Sequence, residues 1–244
     1  MVSKYSYPDT NDRITLALIN KLELSTGSWE LDEKAILELI RERLSHLDPD
    51  KAVLLDGGCG DGRLLHYFHD YFKKIYAIDP DRNRLSMAEI TAKELGIEHK
   101  VTFINTALEE YEFEQKFDVI LSSHIIQHVQ RHLVDKILDA CFRYLNPGGH
   151  LYLMTSYSSK MKDYFVKDHF AEGSFVEEEI SPEIFDSLVM NSEGILPVHF
   201  FSKQTTMNIF QNNNFVIKQI LTFHKIEGNT DGRDIFVSAE KPIE

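Results

Sequence analysis

The sequence predicts an α/β fold: a doubly wound, mostly parallel sheet with an insertion after its fifth strand. Three observations predict it. Short apolar runs alternate with helix-patterned segments from residue 31 to residue 155, the signature of parallel strands joined by crossover helices. A glycine-rich stretch, Asp56-Gly57-Gly58-Cys59-Gly60-Asp61-Gly62, directly follows the first apolar run. After Thr155 the alternation breaks, then resumes beyond residue 200 as a helix and two apolar runs joined by turn residues.

The elements follow in order. Leu31 to Leu47 places Ile36, Leu39, Ile40, Leu44 and Leu47 on one helical face. Ala52-Val53-Leu54-Leu55 is the first strand, and the glycine stretch turns it into a helix. Ile75-Tyr76-Ala77-Ile78 is the second strand and ends in Asp79. Asn83 to Leu95 groups Leu85, Ala88, Ala92 and Leu95, with Gly96 as its C′ stop. Val101-Thr102-Phe103-Ile104 is the third strand, followed by the turn Asn105-Thr106-Ala107-Leu108. Phe117 to Ser123 is the fourth, and His124 follows it. Arg131 to Leu145 is a helix burying Leu133, Val134, Ile137, Leu138 and Cys141. Asn146-Pro147-Gly148-Gly149 then leads into a fifth strand through Met154. Residues 157 to about 200 read as helical fragments with many charges. Gln204 to Asn212 is a helix, Phe215 to Phe223 a strand, Glu227 to Gly232 a turn, and Ile235 to Ala239 the last strand.

At 244 residues the chain can bury one sizeable core, so a single domain is expected. A net charge of −13 without a dense basic run argues against a nucleic-acid partner and favours a small molecule, although the charge also serves solubility. No stretch reaches the ~20 apolar residues needed to span a bilayer, and Met1 to Thr10 lacks a signal-peptide core. Cys59 and Cys141 lie far apart and suggest neither a disulfide framework nor a metal site, so a cytoplasmic location is expected.

Glycines let backbone approach a ligand closely and adopt φ > 0 without steric cost. An acidic residue closing the second strand of a βαβ unit is the usual partner of a nucleoside ribose, which points to Asp79. A dinucleotide site favours G-x-G-x-x-G, whereas Asp56, Gly58, Gly60 and Gly62 are spaced D-x-G-x-G-x-G. That pattern resembles motif I of the class I S-adenosylmethionine (SAM) dependent methyltransferases. Phe117 to His124 is similar to the family's fourth strand, and Leu145-Asn146-Pro147-Gly148-Gly149 to its L-x-P-G-G turn before the fifth. The resemblance implies seven strands in the order 3-2-1-4-5-7-6, with strand 7 antiparallel. It implies SAM as cofactor and S-adenosylhomocysteine as product. Asp56 would lie near the methionine amine, and Asp79 would hold the ribose. The family's adenine-contacting aspartate is replaced here by Thr106, which leaves that contact to its hydroxyl or to the N–H groups of Ala107 and Leu108. The expected cofactor-binding set is Asp56, Gly58, Cys59, Gly60, Asp61, Asp79, Pro80, Thr106, Ala107, Leu108, Ser122 and Ser123.

The insertion 157–200 would overhang the rim and shape the acceptor pocket. Between Lys160 and Leu196 it carries three lysines against nine acidic residues, which suits a cationic acceptor or simply a solvated surface. A general base matters for a hydroxyl or ammonium acceptor, and histidine titrates near neutrality. His128 and His199 are the candidates, each also readable as a packing residue; His124 and His128 would share a face if a helix begins there. Tyr5, Tyr7 and Trp29, in and beside an N-terminal arm over 1–30, are placed to cap the pocket. No D/N-P-P-Y/F run follows strand four, no Pro-Cys nucleophile is present, and no acidic set suggests a Mg²⁺ site. What remains is methyl transfer to O or N of a small-molecule acceptor, with a protein acceptor or a non-catalytic SAM-binding or partner-binding module as alternatives. Oligomeric state stays open.

Overall fold

The computed structural model describes residues 35–171, 174–191, 196–224 and 233–243. Expectations for the N-terminal arm, for Tyr5, Tyr7 and Trp29, and for the turn Glu227 to Gly232 fall outside the described residues.

Five parallel strands form the centre: β1 (Val53–Gly57), β2 (Lys74–Ile78), β3 (Val101–Ile104), β4 (Phe117–Ser123) and β5 (Leu145–Ser158). They lie in the order β3-β2-β1-β4-β5. The last strand, β10 (Arg233–Glu240), runs antiparallel to β5 and also pairs antiparallel with β9 (Val216–His224). This is the expected seven-stranded order with the closing hairpin in place.

Side-chain alternation winds the chain on both faces. Leu55, Ile120, Leu151, Leu153, Ile235 and Val237 point to one core. There they meet α4 (Arg131–Tyr144), through Leu133, Ile137 and Leu138, and Phe210 of α6 (Lys203–Asn212). Leu54, Val119, Leu121, Tyr152, Met154 and Phe236 point the other way. That side is covered by α1, a helix described over 35–44, and by the one-turn α2 (Leu65–Phe68). Strands buried on both faces read as continuous apolar runs, which is why they are visible in the sequence.

The helix α3 (Arg82–Glu94) packs Leu85 and Ala88 against Cys59 and Ala77. Asp81 caps its start by accepting from the N–H groups of Asn83 and Arg84. It ends as expected at Gly96, whose φ is +69°. There Ile97 N–H donates to Ala92 O (2.9 Å) and Gly96 N–H to Lys93 O (3.0 Å), a Schellman closure. No helix among the described residues is long and apolar enough to cross a membrane.

One expected feature is shorter than a usual crossover helix, and one differs from expectation. The helix after the glycine stretch is α2, only four residues, continued by a 3-10 turn over His69–Tyr71. Residues 60–64 are turns, so backbone N–H groups rather than a long helix dipole face the loop. The insertion is a small sheet with one helix, not a set of helical fragments. β6 (Tyr164–Ala171), β7 (Ser174–Ile180) and β8 (Leu196–Ser202) pair antiparallel, β6 between the other two. Charges in 157–200 masked the alternation of Tyr164, Val166, Val198 and Phe200 on one face and Phe165, His199 and Phe201 on the other. β8 then joins the far end of β5 in parallel, with Tyr157 opposite Phe201 and Ser158 opposite Ser202. α5 (Pro182–Asn191) closes this unit through fully buried Phe185, 5.0 Å from Phe165 between ring centroids. Arg131 ties α5 to α4 through Asp186 (2.8 Å).

Phe185→Ala should therefore cost about 3–5 kcal/mol, the usual loss for a buried aromatic. Denaturant unfolding checks it. A loss below about 1 kcal/mol would show that the small sheet does not depend on this ring.

Candidate functional site

The carboxyl ends of β1 to β4 meet at the point where the strand order reverses, where open α/β sheets bind ligands. The glycine stretch forms the floor. Gly58 and Gly60 have φ of +70° and +55°, the left-handed region that favours glycine. A Cβ on Gly58 would come within 2.2 Å of Ile125 Cδ1, and one on Gly60 within 3.0 Å of Arg84 Nη2. The loop is pinned from β2, because the N–H groups of Gly58 and Cys59 both donate to Ile78 O (2.7 and 3.1 Å).

Asp79 is 8% exposed and braces the same loop. Its Oδ2 accepts from Gly60 N–H (2.9 Å) and its Oδ1 from Asp81 N–H (2.8 Å). Burial raises its pKa, while those two N–H groups and Arg84 oppose the rise. Each oxygen keeps a second lone pair for a hydroxyl donor. Asn105 clamps the turn from the β3 side, its Nδ2 donating to Asp79 O and Pro80 O (3.0 Å each). Beyond it, Ala107 and Leu108 are buried, Leu108 lying 3.1 Å from where a Gly57 Cβ would stand, and Thr106 is partly exposed.

Asp56 is the most demanding group. It is 1% exposed, and its Oδ2 has no hydrogen-bond partner. Burial pushes its pKa from 3.8 to about 7; Arg63 opposes the rise, and Asp79 and Asp61 add to it. Asp61 itself is exposed. The buried hydroxyl oxygens of Ser122 and Ser123 also lack partners. A cavity of about 30 Å³ opens beside them, lined in part by Leu64, Phe68 and Met154. An unpaired buried polar group costs about 1–3 kcal/mol, so three at one rim mark a place built for a ligand. Acids crowded around a buried carboxylate call for a cation, and the Gly58–Gly60 floor admits flat, close contact. Both features suit SAM, which carries an ammonium, a sulfonium and a ribose. Cys59 is buried, and burial drives its thiol pKa far upward, so it stays neutral.

The two histidines singled out in the sequence are both held by the protein. No long helix follows β4; a 3-10 turn over Ile126–His128 does. His128 Nδ1 lies 2.9 Å from Pro197 O, and its Nε2 3.2 Å from Gln127 Nε2. Burial lowers its pKa to about 4. His199 lies in β8, 4% exposed, between Phe165 and Phe201 (ring centroids 4.2 and 3.7 Å). Its Nε2 is 2.9 Å from Asp163 Oδ2. Burial lowers its pKa, and Asp163 only partly offsets this. Asp163 is itself pushed up by burial, but bonds from His199, Ser202 N–H and Thr205 hold it below the usual range. Sequence reasoning passed over Arg84 above the loop, Gln127 between two histidines, Asp163, and Asp234, whose Oδ1 lies 3.9 Å from His124 Nδ1. Nothing in local sequence marks Arg84, Asp163 or Asp234, since their partners come from distant elements. Gln127 is fixed between its neighbouring histidines by Thr155 and Ser156 of β5.

Comparison with known proteins agrees with this geometry. Residues 29–220 match the family described as a methyltransferase domain. The chain is 31% identical over 96 residues to a ubiquinone biosynthesis O-methyltransferase of Nitrobacter winogradskyi, covering 39% of this chain and 35% of that protein. It is 30% identical over 121 residues to the Proteus mirabilis protein of the same name, covering 49% and 47%. The chain thus spans less than half the length of these curated relatives. Among solved structures, the N-methyltransferase NodS of Bradyrhizobium japonicum superposes with a TM-score of 0.60 at 14% identity, over 88% of this chain and 98% of that one. The 1,6-didemethyltoxoflavin-N1-methyltransferase of Burkholderia thailandensis, solved with 1,6-didemethyltoxoflavin and S-adenosylhomocysteine bound, gives 0.62 at 16% identity over 97% and 93%. At these identities the structures speak for the fold, whereas the family match covers most of the sequence itself. On that match, with the strand order and the glycine floor at the switch point, the chain belongs to the methyltransferase domain family.

Proposed function

We propose that the protein transfers a methyl group from SAM to an oxygen or nitrogen of a small-molecule acceptor. The observation that carries this reading is Asp56, a fully buried carboxyl with an unpartnered oxygen at the glycine floor. An ammonium placed there would complete its hydrogen bonds and favour its ionised form. SAM brings that ammonium and an already activated methyl group. Asp79 would accept from the ribose hydroxyls, with Gly58, Cys59, Gly60, Asp61 and Pro80 around it. Thr106, Ala107 and Leu108 would take the adenine, and Ser122 and Ser123 would line the donor end. Positioning supplies much of the rate for such a transfer, because the donor needs no covalent help.

The relatives' names include an O-methyltransferase, and the superposed structures two N-methyltransferases, which supports either heteroatom. Residues 157–200, running from the end of β5, would close over the acceptor. The net charge of −13 favours a small acceptor over nucleic acid, and the cysteine usage favours the cytoplasm. His128 and His199 would then act by holding the insertion in place.

Isothermal calorimetry tests the cofactor assignment. S-adenosylhomocysteine should bind and NAD should not; folded protein giving no heat with S-adenosylhomocysteine would overturn the reading. Asp79→Ala should weaken that binding at least tenfold, since a hydrogen bond to a charged group contributes about 1.5–3 kcal/mol.

A pH dependence follows from Asp56. Its folded pKa is raised from 3.8 to about 7, so ionisation costs the ligand-free fold stability as pH climbs through that window. A cationic ligand reverses the preference. Affinity for S-adenosylhomocysteine should therefore tighten by about tenfold between roughly pH 6 and 8. Asp56→Asn should bind weakly and show a flat profile. A wild-type profile as flat as the variant's would remove Asp56 from the amine site.

A further inference from the structure

We propose that the His199–Asp163 pair is an acid-sensitive latch: it fastens the insertion to the central sheet while the imidazole is neutral and releases it once the ring takes a second proton. The device lies outside the cofactor site and goes beyond the methyl-transfer reading, on which it does not depend.

The latch sits where the chain crosses between the two sheets. The chain leaves β5 at Ser158 and comes back at Ser202, and these residues face each other where β5 pairs in parallel with β8. That pairing spans two residues on each strand, so side-chain bonds share in holding the junction. Asp163, just before β6, joins the outgoing and returning limbs. Its Oδ1 accepts from Ser202 N–H (2.8 Å), and its Oδ2 stands 2.9 Å from His199 Nε2. Ser202 Oγ in turn accepts from Thr205 N–H (3.1 Å) and caps α6. Ser158 Oγ donates to Lys162 O (2.7 Å), and Ser156 Oγ to His199 O (2.6 Å).

The partners decide the tautomer. An ionised carboxylate only accepts, so Nε2 carries the hydrogen of the neutral ring. Nδ1 is then the bare nitrogen, buried with no hydrogen-bond partner. Around the ring stand Phe165 and Phe201, at 4.2 and 3.7 Å between centroids, and Phe185 at 6.0 Å. A bare neutral nitrogen is tolerated in such a box. A second proton would create a buried N–H without an acceptor, on a charged ring shut off from water.

The Asp163 carboxylate attracts that charge, but it is already engaged by Ser202 N–H and Thr205. Burial outweighs it and holds the ring below the ordinary 6.5. The other charges facing the ring are Arg131 at the start of α4 and Asp186 on α5. They act on it in opposite senses and pair with each other (2.8 Å). Once the insertion opens, the histidine returns to its ordinary value. Closure is therefore fully favoured above about pH 6.5 and weakens as pH falls below it. His128, which meets β8 at Pro197 O (2.9 Å), is held at about 4 and stays largely neutral down to pH 5.

Amide hydrogen exchange of the full chain, corrected for intrinsic rates, reads such local opening. Between pH 7.5 and 5 the opening constant of β6 and β8 should rise about tenfold, while that of β1 and β4 changes less than about twofold. His199→Gln keeps an N–H for Asp163 and does not titrate, so its profile should be flat. No rise in the wild type, a rise shared equally by β1 and β4, or an equal rise in the variant would each overturn the latch. Long-range ¹H–¹⁵N spectra of histidine-labelled wild type decide the matter should the variant's insertion fail to fold. At pH 7.5 His199 should be the Nε2–H tautomer, and it should titrate below 6.5. An Nδ1–H tautomer or a midpoint above 6.5 would overturn the latch as well. Neither measurement uses a cofactor, so failure of S-adenosylhomocysteine to bind would count against the methyl-transfer reading alone.

Discussion

Burial of two carboxylates at adjacent strand ends, Asp56 on β1 and Asp79 after β2, is the constraint around which the site is arranged. Ionised carboxylates are costly to bury without partners. For Asp79 the backbone meets that cost, through the N–H groups of Gly60 and Asp81. Gly60 presents its N–H there because the loop takes a positive φ, the left-handed region that favours glycine. Asp56 receives no such partner on its Oδ2, and its proton is held to near neutrality. One acid braces the loop, and the other stays buried beneath it with one oxygen unpaired.

The second organising element is the length of β5. Its fourteen residues are more than the central sheet uses, and the surplus carries the insertion. The junction is polar and buried. Ser156 Oγ donates to His199 O (2.6 Å), Gln127 receives Thr155 and Ser156, and His128 reaches Pro197. Buried polar groups that are fully paired specify one arrangement and penalise others. The insertion is thereby tied in orientation to the turn after β4, the turn that also carries His124.

His199 and Asp163 show how burial separates geometry from chemistry. An imidazole 2.9 Å from a carboxylate has the outline of an acid–base pair. Here the ring is stacked between two phenylalanines, and Asp163 also receives the N–H of Ser202, which caps α6. Burial outweighs the carboxylate and lowers the histidine's pKa. The pair fastens β8 to the start of α6 and faces the insertion's own core.

Local chemistry made the strands, the helix stop at Gly96 and the glycine loop legible in the sequence. Each rests on residues adjacent in the chain: an apolar run, a C′ glycine, or an acid closing a strand. The same locality explains the failures. Charges along 157–200 hid a period-two pattern whose partner strands lie elsewhere, and a glycine loop does not state how long a helix follows it. By itself the sequence determined the strands, their alternation with helices and the glycine loop, because apolar periodicity and backbone sterics act over a few residues; the sheet order and closing hairpin came from the resemblance that those local motifs carry. Only the tertiary structure decided how the histidines His128 and His199 are engaged. A histidine is engaged by its partners, and Pro197 of β8 meets His128, and Asp163 before β6 meets His199, only once the insertion has folded.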